Sequence, residues 1–282
     1  MTKEIVLVVG LGEIGSSLFG LLKETGSFTV YGLDIDKTKI REIHQDQSKL
    51  PQRIDTMHIG LPCGNKTNFV VAVASYTQQF KPELLIINST VPPGTTKEIQ
   101  QNCKCLVAHS PFRGVHKSSE YMKWEMKRWT KYVGGADTKA TKAACRHFRK
   151  IGLKVKKLKS CAETEIAKLF ETTYRAWMIA CFQEMHRISR NFGAEFDEAV
   201  DFLEDTHRVR LDRPVMFPGV IGGHCLIPNT KLLLSCYDSE FLRLILQSNE
   251  KRKIEIGDQN VAEEVNKVKK RSEVLQKEMI KN

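Results

Sequence analysis

Residues 4–15 read EIVLVVGLGEIG, a short apolar run followed at once by three glycines in the spacing GxGxxG. The run predicts a buried strand, and Ile14–Thr25, whose leucines share one face, predicts a helix. Gly10 would make the tight turn, Gly12 would let a pyrophosphate approach, and Gly15 would let the helix pack on the strand. Because the first N–H groups of such a helix point at the turn, the stretch predicts a dinucleotide-binding site.

An acidic residue, Asp34, follows the second predicted strand, Ser27–Gly32. A carboxylate at this distance from the glycines accepts hydrogen bonds from ribose hydroxyls, which favours NAD over NADP. Asp36 is the nearest competitor, and we expect it to cap the following helix instead. The predicted cofactor is therefore NAD, and its predicted contacts are Gly10, Gly12, Glu13, Ile14, Gly15 and Asp34.

A second loop, residues 88–95, reads NSTVPPGT after an apolar run and before the helical stretch Thr96–Gln101. Parallel strands present ligand-binding groups at their carboxyl ends. The paired prolines stiffen this loop, so Ser89 and Thr90 are expected to lie near the cofactor. The alternative is an ordinary turn with a threonine cap.

The first half of the chain alternates apolar runs with helical patterns. Buried strands are predicted at Asn68–Ala74, Glu83–Asn88 and Cys105–Ala108. This alternation predicts an α/β fold, a doubly wound parallel sheet of the Rossmann type with helices on both faces. Neither Pro nor Gly interrupts residues 162–191, which predict one long helix as the spine of an all-α domain and as the contact of a homodimer.

The predicted domains are a cofactor-binding domain at 1–158, a helical domain at 159–250 and a charged helical tail at 251–282. Apolar residues recur in the tail at Val261, Val265, Val268, Leu275 and Met279, at spacings that alternate between four and three when Ser272 fills the gap. The pattern fits a short coiled-coil seam or a terminal helix docked on its own chain. Docking is favoured, because fewer than three heptads rarely sustain a coiled coil.

Composition sets further bounds. The chain has 282 residues, 41% of them apolar, and a net charge of +11. No apolar run reaches about 18 residues and no signal peptide is evident, so we expect no membrane span and a cytoplasmic protein. The basic stretches 146–159 and 267–271 are either a solvated face or an attraction for an anion. Aromatic residues do not interleave with them, which makes nucleic acid a minor option.

The eight cysteines include no CxxC pair, and no cluster has metal-ligand spacing, so neither a metal site nor a disulfide framework is predicted. One cysteine has an unusual context: residues 218–229 read PGVIGGHCLIPN. Glycines let a backbone come close to a ligand, and a cysteine at the end of such a loop is placed to attack a substrate. Cys225 is therefore the candidate nucleophile.

Four segments together resemble the UDP-glucose/GDP-mannose dehydrogenase family. They are GLGEIG at 10–15, STVPPGT at 89–95, the helix at 165–188 and PGVIGGHCLIP at 218–228, in the family's order. The resemblance covers roughly residues 3–250. The GGHC form is most similar to the N-acetylhexosamine branch.

The resemblance implies a chemistry. NAD oxidises a primary alcohol of a nucleotide sugar to an aldehyde, a cysteine adds to it, a second NAD oxidises the adduct to a thioester, and water hydrolyses that thioester. It assigns Cys225 as nucleophile, Lys168 as the cation that stabilises an oxyanion, and Thr90 as a residue that places water. Thr172 and Asn229 occupy two further catalytic positions.

Three catalytic helpers differ from the family pattern. Phe112 stands where the family has a glutamate, Thr172 where it has an asparagine, and Asn229 where it has an aspartate. Attack by Cys225 is therefore easier to expect than the hydrolysis that follows. The family also continues into a second nucleotide-binding domain, whereas a charged tail follows Asn249 here, so we expect either a small substrate, with an anionic one as an option, or a partner chain that completes the site.

Three functions are compatible with the sequence. The first is an NAD-dependent oxidoreductase that acts through a Cys225 adduct. The second is a two-electron β-hydroxyacid-type dehydrogenase, which shares the domain order but uses no such cysteine. The third is a degenerate scaffold that binds NAD or a sugar nucleotide. The loop residues Arg113, His116 and Lys117 are weaker candidates for substrate contacts.

Overall fold

The computed structural model describes residues 3–43, 45, 50–114, 118–223 and 225–281. The chain divides into two compact units, Met1–Lys168 and Leu169–Asn282. The division falls inside the long helix, ten residues after the boundary predicted at 158, and the three predicted domains stay a prediction. Within the described residues, no helix is both long enough and apolar enough to cross a membrane.

The first unit is built on one sheet. Its strands are β1 (Glu4–Val9), β2 (Phe28–Leu33), β3 (Thr56–Ile59), β4 (Leu84–Ile87), β5 (Leu106–His109), β6 (Lys131–Gly135) and β7 (Val155–Lys157). Their order in the sheet is β2-β1-β3-β4-β5-β6-β7. The pairs from β2 to β5 are parallel, and β6 runs antiparallel to β5.

Helices cover both faces of this sheet. They are α1 (Glu13–Glu24), α2 (Lys37–Glu42), α3 (Lys66–Phe80), α4 (Thr95–Gln101), α5 (Ser119–Arg128) and α6 (Thr138–Lys150), and α7 (Cys161–Asn191) begins in this unit. Val6 and Val8 pack into one apolar core, while Leu7 and Val9 pack into another. Because side chains alternate along a strand, the two cores lie on opposite faces. The predicted α/β Rossmann fold is confirmed.

The strand predicted at Asn68–Ala74 is wrong, because these residues lie within α3. The β-branched run fits a strand locally, but the buried positions Phe69, Val73 and Phe80 recur at helical spacing. The side chain of Asn65 accepts a hydrogen bond from the Asn68 N–H and caps the helix. Cap and periodicity outweigh the local preference for a strand.

The sequence pattern missed the strands β6 and β7, and it also missed β3. Strand β3 reads TMHI, and its two polar side chains are fully or almost fully buried. Both have partners: Thr56 Oγ1 donates to Glu4 Oε1 at 2.8 Å, and His58 Nδ1 lies 2.8 Å from Asn88 Oδ1. Hydrogen bonds to distant residues make this polar strand compatible with the interior.

The second unit is helical. It contains the rest of α7, then α8 (Phe196–Arg210), α9 (Leu226–Leu234), α10 (Glu240–Glu255) and α11 (Gln259–Lys281). Its core includes Ala176, Val200, Ile245 and Val268, all at 0% exposure. The all-α second domain with one long helix is confirmed.

The terminal helix α11 docks on its own chain, as favoured from the sequence. Its residues Val261, Val265, Val268 and Leu275 are buried; the side chain of Met279 lies outside the described part. Arg271 also forms ion pairs with three carboxylates of α8, those of Asp197, Asp201 and Glu204.

Candidate functional site

The three glycines of the first turn differ in what surrounds them. Gly10 has φ +88°, and a Cβ there would lie 2.8 Å from the carbonyl oxygen of Gly60. A Cβ on Gly15 would lie 1.7 Å from the Gly10 oxygen, so α1 and the turn pack in direct contact. At Gly12 no atom of the described residues lies within 4 Å of that position. Two glycines are therefore required by packing, and Gly12 faces open space that a ligand can fill.

The open side of Gly12 lies where the sheet order reverses. The chain leaves β1 for β2 on one side and returns to β3 on the other, so the carboxyl ends of β1 and β3 flank a crevice. Ligands of open α/β sheets bind at such a switch point. Gly12 is also the N-cap of α1 and supplies no side-chain cap, which suits a phosphate as the cap. The arrangement fits a dinucleotide.

The Asp34 carboxylate is held at the end of β2. Its Oδ2 accepts the Leu11 N–H at 2.6 Å, its Oδ1 accepts the Asp36 N–H at 2.9 Å, and Lys39 Nζ lies 3.7 Å away. A carboxylate has about four acceptor positions, so capacity for ribose hydroxyls remains. Asp36 caps α2 through Thr38, which confirms its expected role.

The loop after β4 is fixed by buried side chains. Asn88 Nδ2 donates to the Ser110 oxygen at 2.7 Å, and His109 Nε2 lies 3.0 Å from the Ser89 oxygen. Burial lowers the pKa of His109 to about 3, so the ring is neutral and Nε2–H donates to Ser89. Ser89 itself is buried, while Thr90 is half-buried.

The sequence pattern missed Glu165, whose carboxylate organises the other end of this loop. It is 0% exposed and accepts the Gly94 N–H at 2.7 Å, the Thr96 N–H at 2.8 Å and the Thr96 hydroxyl at 2.6 Å. Burial nevertheless raises its pKa. The only sequence signal was an acidic residue on the apolar side of α7, three positions before Lys168. Lys168 is half-buried and is the last residue of the first unit.

Phe112, at the position of the family's glutamate, belongs to the core. It is 4% exposed, and the Lys131 ammonium lies 3.0 Å from its ring centroid. Lys131 Nζ also donates to the oxygens of Ser110 and Pro111. Burial holds the pKa of Lys131 well below its ordinary value. Phe112 is thus a buried core residue whose ring lies against the Lys131 side chain.

In the second unit, Cys225 is the N-cap of α9 and is half-buried. The N–H of Asn229 donates to the Cys225 oxygen at 3.0 Å, one turn along. Asn229 Nδ2 lies 3.3 Å from Thr172 Oγ1, which donates to the Leu169 oxygen. The structure therefore brings together Cys225 and both altered helpers of this unit, Thr172 and Asn229.

Two buried amides that the sequence did not single out hold the glycine-rich loop before Cys225. Gln183 Nε2 donates to the Gly219 oxygen at 2.7 Å, and Asn249 Oδ1 accepts the Ile221 N–H at 2.7 Å. Both lie on helices, α7 and α10. The loop is therefore anchored to rigid elements on both sides.

The weaker candidates have other roles or lie outside the description. Arg113 stacks on Trp129 and Tyr132 and donates to the Thr130 oxygen. His116, Lys117 and His224 lie outside the described residues.

Residues 162–251 match the model of the UDP-glucose/GDP-mannose dehydrogenase family, central domain. UDP-N-acetyl-D-mannosamine dehydrogenase from Methanocaldococcus jannaschii is 28% identical over 259 residues, which cover 78% of this chain and 59% of that protein. The chain thus spans about three fifths of the length of this curated relative.

The fold is similar to that of two kinds of solved dehydrogenase. UDP-D-ManNAc dehydrogenase from Pyrococcus horikoshii gives a TM-score of 0.74 at 22% identity, over 90% of this chain and 70% of that chain. A 3-hydroxyisobutyrate dehydrogenase from Mycobacterium tuberculosis gives 0.65 at 16% identity, over 91% of this chain and 95% of that one. At these identities the likeness concerns the fold alone.

Proposed function

We propose that this chain is a member of the UDP-glucose/GDP-mannose dehydrogenase family and an NAD-dependent dehydrogenase that oxidises a primary alcohol or aldehyde of a sugar substrate through an adduct on Cys225. The match of residues 162–251 to the family's central domain and the 28% identity to a UDP-N-acetyl-D-mannosamine dehydrogenase support this proposal. The observation that carries the proposal is the GxGxxG turn at the switch point of the sheet. In this turn the space beside Gly10 and Gly15 is occupied by other atoms of the chain, and of the three glycines only Gly12 has open space beside it.

The first unit supplies the cofactor contacts in this proposal. The N–H groups at the start of α1, including those of Glu13 and Ile14, would hold the pyrophosphate, and Asp34 would accept the ribose hydroxyls. Ser89 and Thr90 would contact the nicotinamide end. NAD, when bound, takes a hydride from the substrate. Glu165 and His109 hold the loop of Ser89 and Thr90 in one position, so little ordering is needed on binding.

The second unit supplies the nucleophile. A thiolate at the N-cap of α9 lies where helix N–H groups favour negative charge. Cys225 Sγ would add to the aldehyde carbon, and Lys168 would stabilise the oxyanion that forms, as the resemblance implies.

Hydrolysis is the weak step. Asn229 carries an amide whose Nδ2 donates toward Thr172, and an amide takes no proton from water. Phe112, which is buried, has no acidic group to offer at the position of the family's glutamate. We therefore expect thioester to accumulate or the reaction to stop at the aldehyde. Asn229→Asp should raise the steady rate of acid release about 10-fold or more, relative to the burst of NADH. An unchanged ratio would show that Asn229 does not limit hydrolysis.

The direct test of the proposal is NADH formation with a panel of substrates, namely UDP-N-acetylhexosamines, sugar phosphates and free sugars. Cys225→Ala should lower acid formation at least about 100-fold while NAD binding is retained. Cys236→Ala, which removes an exposed cysteine just beyond α9, is the matched control and should keep full activity. NADH formation that survives Cys225→Ala would remove the covalent step.

The panel also identifies the substrate class. Stabilisation by UDP-sugars, measured as a rise in Tm, would indicate that the chain recognises the nucleotide. Stabilisation by sugar phosphates alone would indicate a smaller anionic substrate. NAD binding without turnover of any panel member would favour the scaffold function.

A second candidate is a two-electron β-hydroxyacid dehydrogenase. The order of a Rossmann domain and a long helix that carries Lys168 keeps this candidate open, and the likeness to 3-hydroxyisobutyrate dehydrogenase concerns that fold alone. In that case Lys168 would be required and Cys225 would be dispensable. The two single variants Lys168→Ala and Cys225→Ala, each assayed on 3-hydroxy acids and on sugars, distinguish the two activities.

We further propose a cytoplasmic homodimer in which α7 contributes to the contact. Phe170 and Tyr174 lie one turn apart on α7 and are 59% and 62% exposed, so together they offer an aromatic surface that a second copy of the chain would cover. Sedimentation equilibrium of the chain and of Phe170→Glu gives the test. A monomer in both cases would refute the dimer.

A further inference from the structure

We propose that Cys103 and Cys105 form a reversible dithiol–disulfide site that reacts with a low-molecular-weight disulfide such as oxidised glutathione. The two residues lie in the turn between α4 and β5, and their Sγ atoms are 3.4 Å apart. A disulfide requires about 2.0 Å between sulfurs. The two thiols are therefore in van der Waals contact, and only a small side-chain movement separates them from a bond.

The two thiols are unequal in a way that suits exchange. Cys103 is half-buried, so a small disulfide can reach it, whereas Cys105 is 8% exposed. The Cys105 S–H donates to Cys103 Sγ. This hydrogen bond lowers the pKa of Cys103 to about 7 and raises that of Cys105. Cys103 is thus the attacking thiol and Cys105 the resolving one.

The backbone around the pair is held in place. Gln100 Nε2 donates to the Cys105 oxygen at 2.8 Å, and Gln100 Oε1 accepts the Val107 N–H at 3.0 Å. The Asn102 N–H donates a hydrogen bond to the Ile99 oxygen at the end of α4. These contacts fix both sides of the turn, so the approach of the two sulfurs does not depend on a chance fluctuation of the loop.

The exchange balances without a further reagent. The Cys103 thiolate attacks one sulfur of glutathione disulfide, forms a mixed disulfide and releases one glutathione thiolate. The Cys105 thiol gives up its proton and attacks Cys103 Sγ, which releases the second glutathione. Two protein thiols are oxidised, one small disulfide is reduced to two thiols, and the process reverses in excess thiol.

A disulfide at this place has little structural purpose. Only Lys104 separates the two cysteines, so the closed loop is very short and removes little entropy from the unfolded chain. A bond that contributes little to stability is easily reduced, which suits a site that responds to the thiol–disulfide balance of its surroundings.

The test uses the full chain in glutathione buffers of graded oxidation, quenched with acid and then alkylated. Trypsin cleaves after Lys104 and places the two cysteines on separate peptides, Glu98–Lys104 and Cys105–Arg113. We expect these peptides to become disulfide-linked within one chain as oxidation rises, and to separate again on reduction. Cys145 and Cys161, which are 3% and 1% exposed, should stay unmodified and so report that the fold is intact.

Single variants separate the roles. Cys105→Ser should trap glutathione on Cys103, because the resolving thiol is gone, and Cys103→Ser should leave Cys105 unmodified. Cys236→Ser is the matched control and should behave as the parent chain does. The proposal is overturned if both thiols stay free across the series, if the parent chain keeps glutathione on Cys103, or if the linkage joins two chains.

Discussion

Single residues in the glycine turn have separable tasks. The contact of α1 with the Gly10 oxygen requires a glycine at position 15, whereas the part of the chain that the structure describes leaves room for a side chain at position 12. Packing and ligand binding can thus be tested at positions three residues apart.

Gly12→Val should leave the fold intact and weaken NAD binding by about 10-fold or more, because the new side chain occupies the space open to the pyrophosphate. Gly15→Ala should instead lower Tm, because its methyl group would overlap the Gly10 oxygen and force the turn apart. Calorimetric titration with NAD and thermal unfolding measure the two effects. Equal NAD affinity of Gly12→Val and the parent chain would contradict the assigned site.

At the scale of elements, a buried carboxylate joins α7 to the loop before α4. We expect Glu165→Gln to cost about 2–4 kcal/mol of unfolding free energy, because an uncharged amide cannot accept all three hydrogen bonds. The control is Glu163→Gln, two positions away on the same helix but exposed, which should cost under about 1 kcal/mol. Urea unfolding gives both values, and hydrogen exchange at Gly94 and Thr96 should speed up only in Glu165→Gln.

A second link between elements ties β1 to α6. Asn88 Nδ2 donates to the Ser110 oxygen, so Asn88 Oδ1 accepts from His58 Nδ1, and the Nε2 atoms of His58 and His147 lie 2.9 Å apart. His147 Nδ1 lies 3.1 Å from Glu4 Oε1. The Glu4 carboxylate thus lies at one end of a row of hydrogen-bonded side chains that reaches Asn88 through His147 and His58.

This link predicts an acid-sensitive contribution. The hydrogen bond from His147 and the nearby Lys150 lower the pKa of Glu4 from 4.5 to about 2. A lowered carboxyl pKa stabilises the fold above pH 4.5 and loses that effect as pH falls toward 2. Glu4→Gln should therefore be less stable than the parent chain at pH 6, and the gap should shrink by pH 3. A gap that is constant between these values in urea unfolding would contradict the assignment.

The sequence predicted those features of the fold and the site that have a local signal. The glycine turn, the long helix and the docked tail follow from spacing alone. The strand β3 and the role of Glu165 do not, because their buried polar groups find partners between 30 and 89 positions away in the chain. Residues 68–74 favour a strand locally because they contain six apolar residues, three of them valines, whereas the sequence signal for a helix is a single capping asparagine. Which polar groups find partners is decided by tertiary contacts.

At the scale of the molecule, the second unit depends on its last helix. Val268→Asp should cost about 3 kcal/mol or more, because it buries a charge at a position that is 0% exposed. Val274→Asp makes the same change on the same helix at a position that is 51% exposed, and should stay within about 0.5 kcal/mol. Chemical unfolding compares them, and equal losses would contradict the docking of α11.

The two backbone hydrogen bonds of Asp34 have a consequence for redesign. This carboxylate accepts hydrogen bonds from the N–H groups of Leu11 and Asp36, so it stabilises the glycine turn. It is also the proposed acceptor for the ribose hydroxyls. Replacing it with a small or basic residue to admit a 2′-phosphate would release the turn at the same time. An NADP-using variant would need a second acceptor for the Leu11 N–H, so cofactor preference is coupled here to the shape of the phosphate-binding turn.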